Sequence, residues 1–121
     1  MNRGRIMRQI VLFAFNGDFM CFIHVLLNAL DMKEKGYEVK IVIEGAATKL
    51  IPELMKKGNP LHVLYQKAKE LDLFDGVCRA CSNKMGTLEA AGTEGFKPLD
   101  DMNGHPGIAG YIEKGFEVIT F

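Results

Sequence analysis

Two cysteines three residues apart, in Cys78-Arg79-Ala80-Cys81, are the residues of this chain best suited to chemistry. They sit where a short apolar stretch ending in Gly76-Val77 runs into the helix-like Ser82-Asn83-Lys84-Met85. In an open parallel α/β sheet, ligands collect in the crevice at the carboxyl ends of the strands, and a helix N-terminus there favours negative charge. A thiolate is such a charge. A cysteine in this setting is expected to titrate below the free value of about 8.5 and to act as a nucleophile or metal ligand near neutral pH.

The spacing leaves several arrangements open. If both cysteines lie on an extended strand, they point to opposite faces with Cα atoms roughly 10 Å apart, too far for a disulfide, which needs about 4.4–6.8 Å. A disulfide or a shared metal therefore requires a turn at Arg79-Ala80. If the strand instead runs on to Ala80, only Cys81 reaches the crevice and Cys78 packs in the core. Two buried structural cysteines are the plainest alternative, because free cysteine is among the most buried residue types. A thioredoxin-type oxidoreductase uses the same spacing, but its motif follows an early strand, whereas at least two strand-helix units precede this one. A zinc site could add His105 to the two thiols, although one Cys-x-x-Cys without a second pair is a weak signal and no metal ligand set is assigned from sequence.

His105 lies in Asn103-Gly104-His105-Pro106-Gly107, a loop that precedes a helix and should open towards the same crevice. It reads either as an acid/base neighbour of Cys81 or as a turn histidine exposed to solvent. Asp18, at the mouth of the first strand, reads first as a helix N-cap and alternatively as a residue lining the pocket. Arg79, Ser82 and Asn83 flank the thiols as further pocket candidates, Arg79 being either an outward strand residue or a holder of a thiolate or anionic sulfur donor. His24 and His62 fall on polar helical faces, and Cys21 reads as core or interface packing.

The elements that position these residues follow from apolar periodicity. Gln9 to Phe15 is a first strand, closed by Asn16-Gly17-Asp18. Phe19 to Lys35 is a helix with His24, Asn28, Asp31 and Lys35 on one polar stripe, ended by Gly36. The rest of this helix to Leu30 is apolar or small, wider than one sheet contact requires, so a subunit interface and a homo-oligomer are expected. Glu38 to Glu44 alternates as a second, more peripheral strand. Thr48 to Lys57 is a short helix with Leu50, Ile51 and Leu54 inward. Leu61, Leu64, Tyr65, Ala68 and Leu71 define the buried stripe of another helix, leaving His62, Gln66, Lys69 and Glu70 to solvent. Asn83 to Ala91 forms a helix in which Gly86 costs about 1 kcal/mol relative to Ala, so Gly86 should have a packing or backbone reason. Gly92 to Gly107 is loop-like, with Phe96 to Leu99 its one possible strand. Ile108 to Lys114 is a helix, and Phe116 to Phe121 a last strand. This alternation implies a mostly parallel sheet of about five strands with helices on both faces and right-handed crossovers.

Composition bounds the function. The 121 residues are read as one domain, with 48% hydrophobic and 25% charged residues. Fifteen basic residues balance fifteen acidic ones, so no electrostatic footprint for nucleic acid or an anionic membrane is present. Three cysteines do not make a secreted disulfide framework and suggest a reducing cytoplasm. The start, Met1 to Arg8, is basic but lacks a small-residue cleavage site after its apolar run, so neither a signal peptide nor a transmembrane span is expected.

Gly76-Val77-Cys78-Arg79-Ala80-Cys81-Ser82-Asn83-Lys84-Met85-Gly86, with the βα unit opening on Asn16-Gly17-Asp18 and the closing strand Phe116 to Phe121, resembles the DsrE-like family of small sulfur-relay proteins. The likeness covers nearly the whole chain and is most specific at Ala80-Cys81 and Met85-Gly86. It implies a single DsrE-like domain over 1–121, a three-layer sandwich of flavodoxin-like topology, cytoplasmic homo- or hetero-oligomers, and a cysteine that accepts sulfur as a persulfide. That role falls on Cys81. Cys78 is not part of the general family pattern and would serve as a second thiol that resolves a persulfide to a disulfide. The expected function is thus sulfur relay between donor and acceptor proteins without a cofactor. The alternatives are dithiol redox chemistry and a non-catalytic oligomer whose cysteines are structural or bind zinc.

Overall fold

The computed structural model describes residues 7–121; of the basic start, residues 1–6 lie outside the described part. Strand β1 (Gln9–Ala14) is followed by helix α1 (Phe19–Glu34). The turn between them is built by its own side chains. Asn16 Oδ1 accepts the Asp18 N–H at 2.9 Å, and Asp18 Oδ1 accepts the Met20 N–H at 2.8 Å, which is the expected N-cap. Gly36, at φ 90°, reverses the chain out of α1 into β2 (Glu38–Ile43). A 3-10 segment (Gly45–Leu50) continues into α2 (Ile51–Leu54), and α3 (His62–Glu70) leads to β3 (Phe74–Cys78). Then come α4 (Arg79–Lys84), α5 (Leu88–Thr93), β4 (Pro98–Leu99), α6 (Ala109–Glu113) and β5 (Glu117–Thr120).

The five strands form one parallel sheet in the order β4-β3-β2-β1-β5. The layered α/β class is as expected, but the strand order is not the flavodoxin-like 2-1-3-4-5. Here three successive crossovers step in one direction, and the fourth returns across the whole sheet. Right-handed crossovers in one direction put their helices on one face, and the return must then cross the other. The packing agrees. On β1, Ile10, Leu12 and Ala14 join a core with Phe22, Val25, Leu26 and Ala29 of α1, Tyr65 and Ala68 of α3, and Ala91 of α5. The alternate residues Val11 and Phe13 pack with Val42, Phe116 and Tyr111 of α6.

Several elements differ from the sequence expectation. β2 is central, not peripheral, with Ile41, Val42 and Ile43 fully buried. Its apparent half-exposure came from Lys40, whose ammonium lies 3.4 Å from the Asp75 carboxylate and 5.6 Å from the Phe116 ring centre, on the face covered only by the return crossover. The single helix expected over 83–91 is two helices, because Gly86, at φ 74°, ends α4; this is the backbone reason for that glycine. Thr87 ties the break down, its hydroxyl donating to the Thr48 carbonyl at 2.9 Å. Leu71, expected in the core, caps α3 and is exposed. Among the described residues no helix is long and apolar enough to cross a membrane.

β3 and β4 approach through Gly76, where a Cβ would lie 2.4 Å from the Lys97 carbonyl oxygen and 2.7 Å from Leu99 Cγ. We predict that Gly76→Ala loses about 1–3 kcal/mol of stability to forced displacement, measured by urea unfolding at neutral pH. An unchanged unfolding midpoint would show that β4 moves aside without penalty. A second test lies at α3. Tyr65, fully buried, donates its hydroxyl to Glu94, and Lys69 Nζ lies 2.9 Å from the same carboxylate. Burial raises the Glu94 carboxyl, but these two hydrogen bonds, together with the charge of Lys69 and the nearby His62, outweigh it and hold the group below its ordinary range. A depressed folded-state value stabilises above the unfolded value of about 4.3, and that contribution is lost as pH falls through the folded value. The stability gap between the wild-type chain and Glu94→Gln should therefore be present at pH 7 and shrink below about pH 4 in urea titrations.

Candidate functional site

Three chain segments converge at the carboxyl ends of the central strands. Register pairs Ile43 with Val77, so Glu44 and Cys78 emerge side by side from β2 and β3. The Glu44 N–H donates to the Ala14 carbonyl at 2.8 Å, extending the sheet by one residue. Cys78 ends β3 and caps α4, its Sγ accepting the Cys81 N–H at 3.4 Å. The chain thus turns at Arg79, which is the geometry that a joint role for the two cysteines requires. The third segment follows β4. Asn103 and Gly104, at φ 51° and 90°, form the centre of a type I′ turn closed by two hydrogen bonds between Met102 and His105, of 2.7 and 2.9 Å. Gly104 also accepts the Ala80 N–H at 2.9 Å, which pins this turn to α4 and sets His105 over the thiols.

His105 Nδ1 lies 3.1 Å from Cys78 Sγ, 3.7 Å from Cys81 Sγ and 4.0 Å from Glu44 Oε1. Ligand atoms of all four residues fall within 4.8 Å of one another. Cys78 is wholly buried and Glu44 nearly so, whereas Cys81 and His105 are partly exposed. Burial pushes the Cys78 thiol up to about 12, more than the Cys81 N–H bond lowers it, with the neighbouring Cys81 and Glu44 adding to the rise. The expected lowering therefore does not hold for Cys78, because desolvation outweighs the single amide donor. Burial also raises the Glu44 carboxyl, and the His105 imidazole opposes that rise.

The expected site residues divide. Cys78, Cys81 and His105 come together, so His105 is not a free turn histidine. Arg79 turns away from the thiols to Asp100, with Nε 2.9 Å from Oδ2 and both side chains half-exposed. Ser82 is buried, its Oγ without a partner among the described residues, while Asn83 is exposed. Asp18 is committed to capping α1 and borders a shallow depression with Asn16, Ala46 and Lys49, apart from the cluster. His62 is not simply solvated: its Nδ1 lies 2.8 Å from the Leu54 carbonyl oxygen. Cys21 is half-buried on α1 and His24 is exposed there. Glu44 is the member that sequence reasoning missed. Its one signal was a polar residue directly after a fully apolar strand end and before Gly45. A separate cleft bordered by Glu38, Lys40, Phe74, Asp75 and Lys97 opens near the amino ends of β2 and β3, away from where parallel sheets place ligands.

Fold and site together define a small doubly wound α/β protein with two thiols, an imidazole and a carboxylate at the end of its sheet. The chain belongs to the family of the uncharacterized protein MJ0733 of Methanocaldococcus jannaschii, to which it is 34% identical over 96 residues, 79% of this chain and 76% of that one. It is also 40% identical over 52 residues to an uncharacterized protein of Archaeoglobus fulgidus, covering 43% of this chain and 84% of that protein. No family model matches the chain, and no solved structure does.

Such a cluster can present a nucleophilic thiol with an imidazole in reach, exchange electrons between two thiols, or bind a soft cation. The two thiols differ in access. At pH 7.5 iodoacetamide should modify Cys81 at least about tenfold faster than Cys78, as read by peptide mass spectrometry of the reduced, folded chain. Equal rates would mean that Cys78 is not held as a buried thiol.

Proposed function

We propose that the chain is a DsrE-like sulfur carrier in which Cys81 accepts sulfur as a persulfide and passes it to a partner protein. The observation that carries this reading is the partly exposed Cys81 thiol, set at the sheet's carboxyl end beside a buried second thiol and 3.7 Å from an imidazole nitrogen. In the first step the Cys81 thiolate attacks the outer sulfur of a persulfide donor, R–S–SH. A new S–S bond forms, the donor's S–S bond breaks, and its electron pair leaves with R–S⁻. His105 is the base within reach of the Cys81 proton. In the second step an acceptor thiolate attacks the outer sulfur, and Cys81 leaves as thiolate. Cys78 would compete by attacking the inner sulfur, giving a Cys78–Cys81 disulfide and releasing HS⁻. Its burial and its raised thiol pKa keep that branch slow. No organic cofactor is required. The exposed apolar residues Met20 and Leu27 of α1, with Phe15 before it, support a homo-oligomer, and the partners are cytoplasmic sulfur donors and acceptors.

Intact mass spectrometry of the reduced chain before and after polysulfide tests this. The wild-type chain should gain one sulfur atom, Cys81→Ser should gain none, and Cys78→Ser should keep its sulfur longer than the wild-type chain. A loss of two hydrogens that needs both cysteines would favour dithiol redox chemistry instead, and an unchanged mass would remove the basis for sulfur transfer.

A further inference from the structure

We infer that Glu44, Cys78, Cys81 and His105 form a four-ligand site for a thiophilic divalent cation of the zinc type. Three independent features support it. The first is spacing. Zinc bonds of about 2.0–2.3 Å at tetrahedral angles hold neighbouring ligand atoms roughly 3.3–3.8 Å apart. The separations from His105 Nδ1 are 3.1 Å to Cys78 Sγ, 3.7 Å to Cys81 Sγ and 4.0 Å to Glu44 Oε1, and the whole set lies within 4.8 Å. Shifts of a few tenths of an ångström bring the three distances from Nδ1 to these values, and any pair at the 4.8 Å limit closes by about 1 Å through side-chain rotation.

The second feature is chemical type. Two sulfurs and one imidazole select zinc over magnesium or calcium, which take oxygen donors, and a carboxylate oxygen is a third donor type that zinc accepts. The third is the surroundings. Glu44 is 8% exposed, and its one ion-pair neighbour among the described residues is His105. Cys78 has no exposure at all. Burying a carboxylate beside two thiols is costly unless a cation compensates them. The ligands are also held in advance by backbone hydrogen bonds, from Glu44 N–H to Ala14, from Ala80 N–H to Gly104, and across the Met102–His105 turn.

On binding, Zn²⁺ replaces the two thiol protons, which pass to solvent, and the sulfurs bind as thiolates without any change of oxidation state. Four protein ligands close the coordination sphere. Metal and persulfide therefore exclude one another at Cys81, but the metal site stands whether or not sulfur is carried.

Anaerobic titration of the reduced 121-residue chain with Co²⁺, followed by Zn²⁺, tests the assignment. Cobalt should give thiolate charge-transfer absorption and tetrahedral visible bands that saturate at one ion per chain and vanish when zinc is added. Cys81→Ser should lower the charge-transfer intensity by about half. His105→Gln and Glu44→Gln should each weaken binding at least about tenfold, the loss seen even for outer-shell partners. Cys21→Ser should bind like the wild-type chain. Far-UV circular dichroism of each variant separates lost ligation from lost fold, and the partly exposed Cys81 and His105 positions keep the test open if Cys78→Ser does not fold. Absent bands, bands that survive Cys81→Ser at full intensity, or equal binding by Glu44→Gln would overturn the four-ligand site. Polysulfide loading is measured on metal-free chain, so failure of either idea leaves the other standing.

Discussion

The handedness of parallel crossovers is the constraint from which the site follows. Because each crossover must be right-handed, the chain leaves β3 towards the α1 face and leaves β4 towards the α6 face. Adjacent strands whose chains depart to opposite faces open a crevice between them, the switch point at which parallel sheets bind ligands. Here Cys78 and Cys81 come from the β3 side and His105 from the β4 side. Glu44 closes the third side because β2 pairs with β3 in a register that leaves it next to Cys78. Had β4 joined the other edge of the sheet, His105 could not have reached the thiols.

Desolvation gives the four groups their character. A thiol at the end of a buried strand has little water to stabilise its anion, so Cys78 holds its proton far above neutral pH. Cys81 lies one helical turn on and keeps contact with solvent. Two cysteines three residues apart thus occupy different environments, one sealed from solvent and the other in contact with it. The imidazole between them serves either state, accepting a proton from a thiol or donating one to a thiolate, according to its own protonation.

Much of the fold is legible in the sequence. The apolar run of β1, the Asp18 cap, the reversals at Gly36 and Gly115 and the inward Leu50, Ile51 and Leu54 were read from local pattern, which local physics decides. The reach of an extended chain makes a turn at Arg79-Ala80 the condition for a joint role of the two cysteines, while leaving open a strand that runs on to Ala80. What escaped was set by distant pairing. β2 looked peripheral because Lys40 interrupts it, and only the sheet order shows that this lysine crosses a thinly covered face to Asp75. Glu44 carries no motif and joins the site only through the β2–β3 register. The loop holding His105 looked structureless because its order rests on a left-handed Asn-Gly turn and on one hydrogen bond to α4.

The two margins of the sheet are unequal. β4 has only two paired residues and a proline, so it offers little free backbone for another strand to join. β5 is longer, and Ile119 on it is exposed. Its first residue, Glu117, is held by the Arg8 guanidinium, with Nε 3.0 Å from the carboxylate. Among the described residues, that ion pair puts charge at the start of the longer margin, the kind of feature that disfavours pairing of an edge strand with a foreign chain.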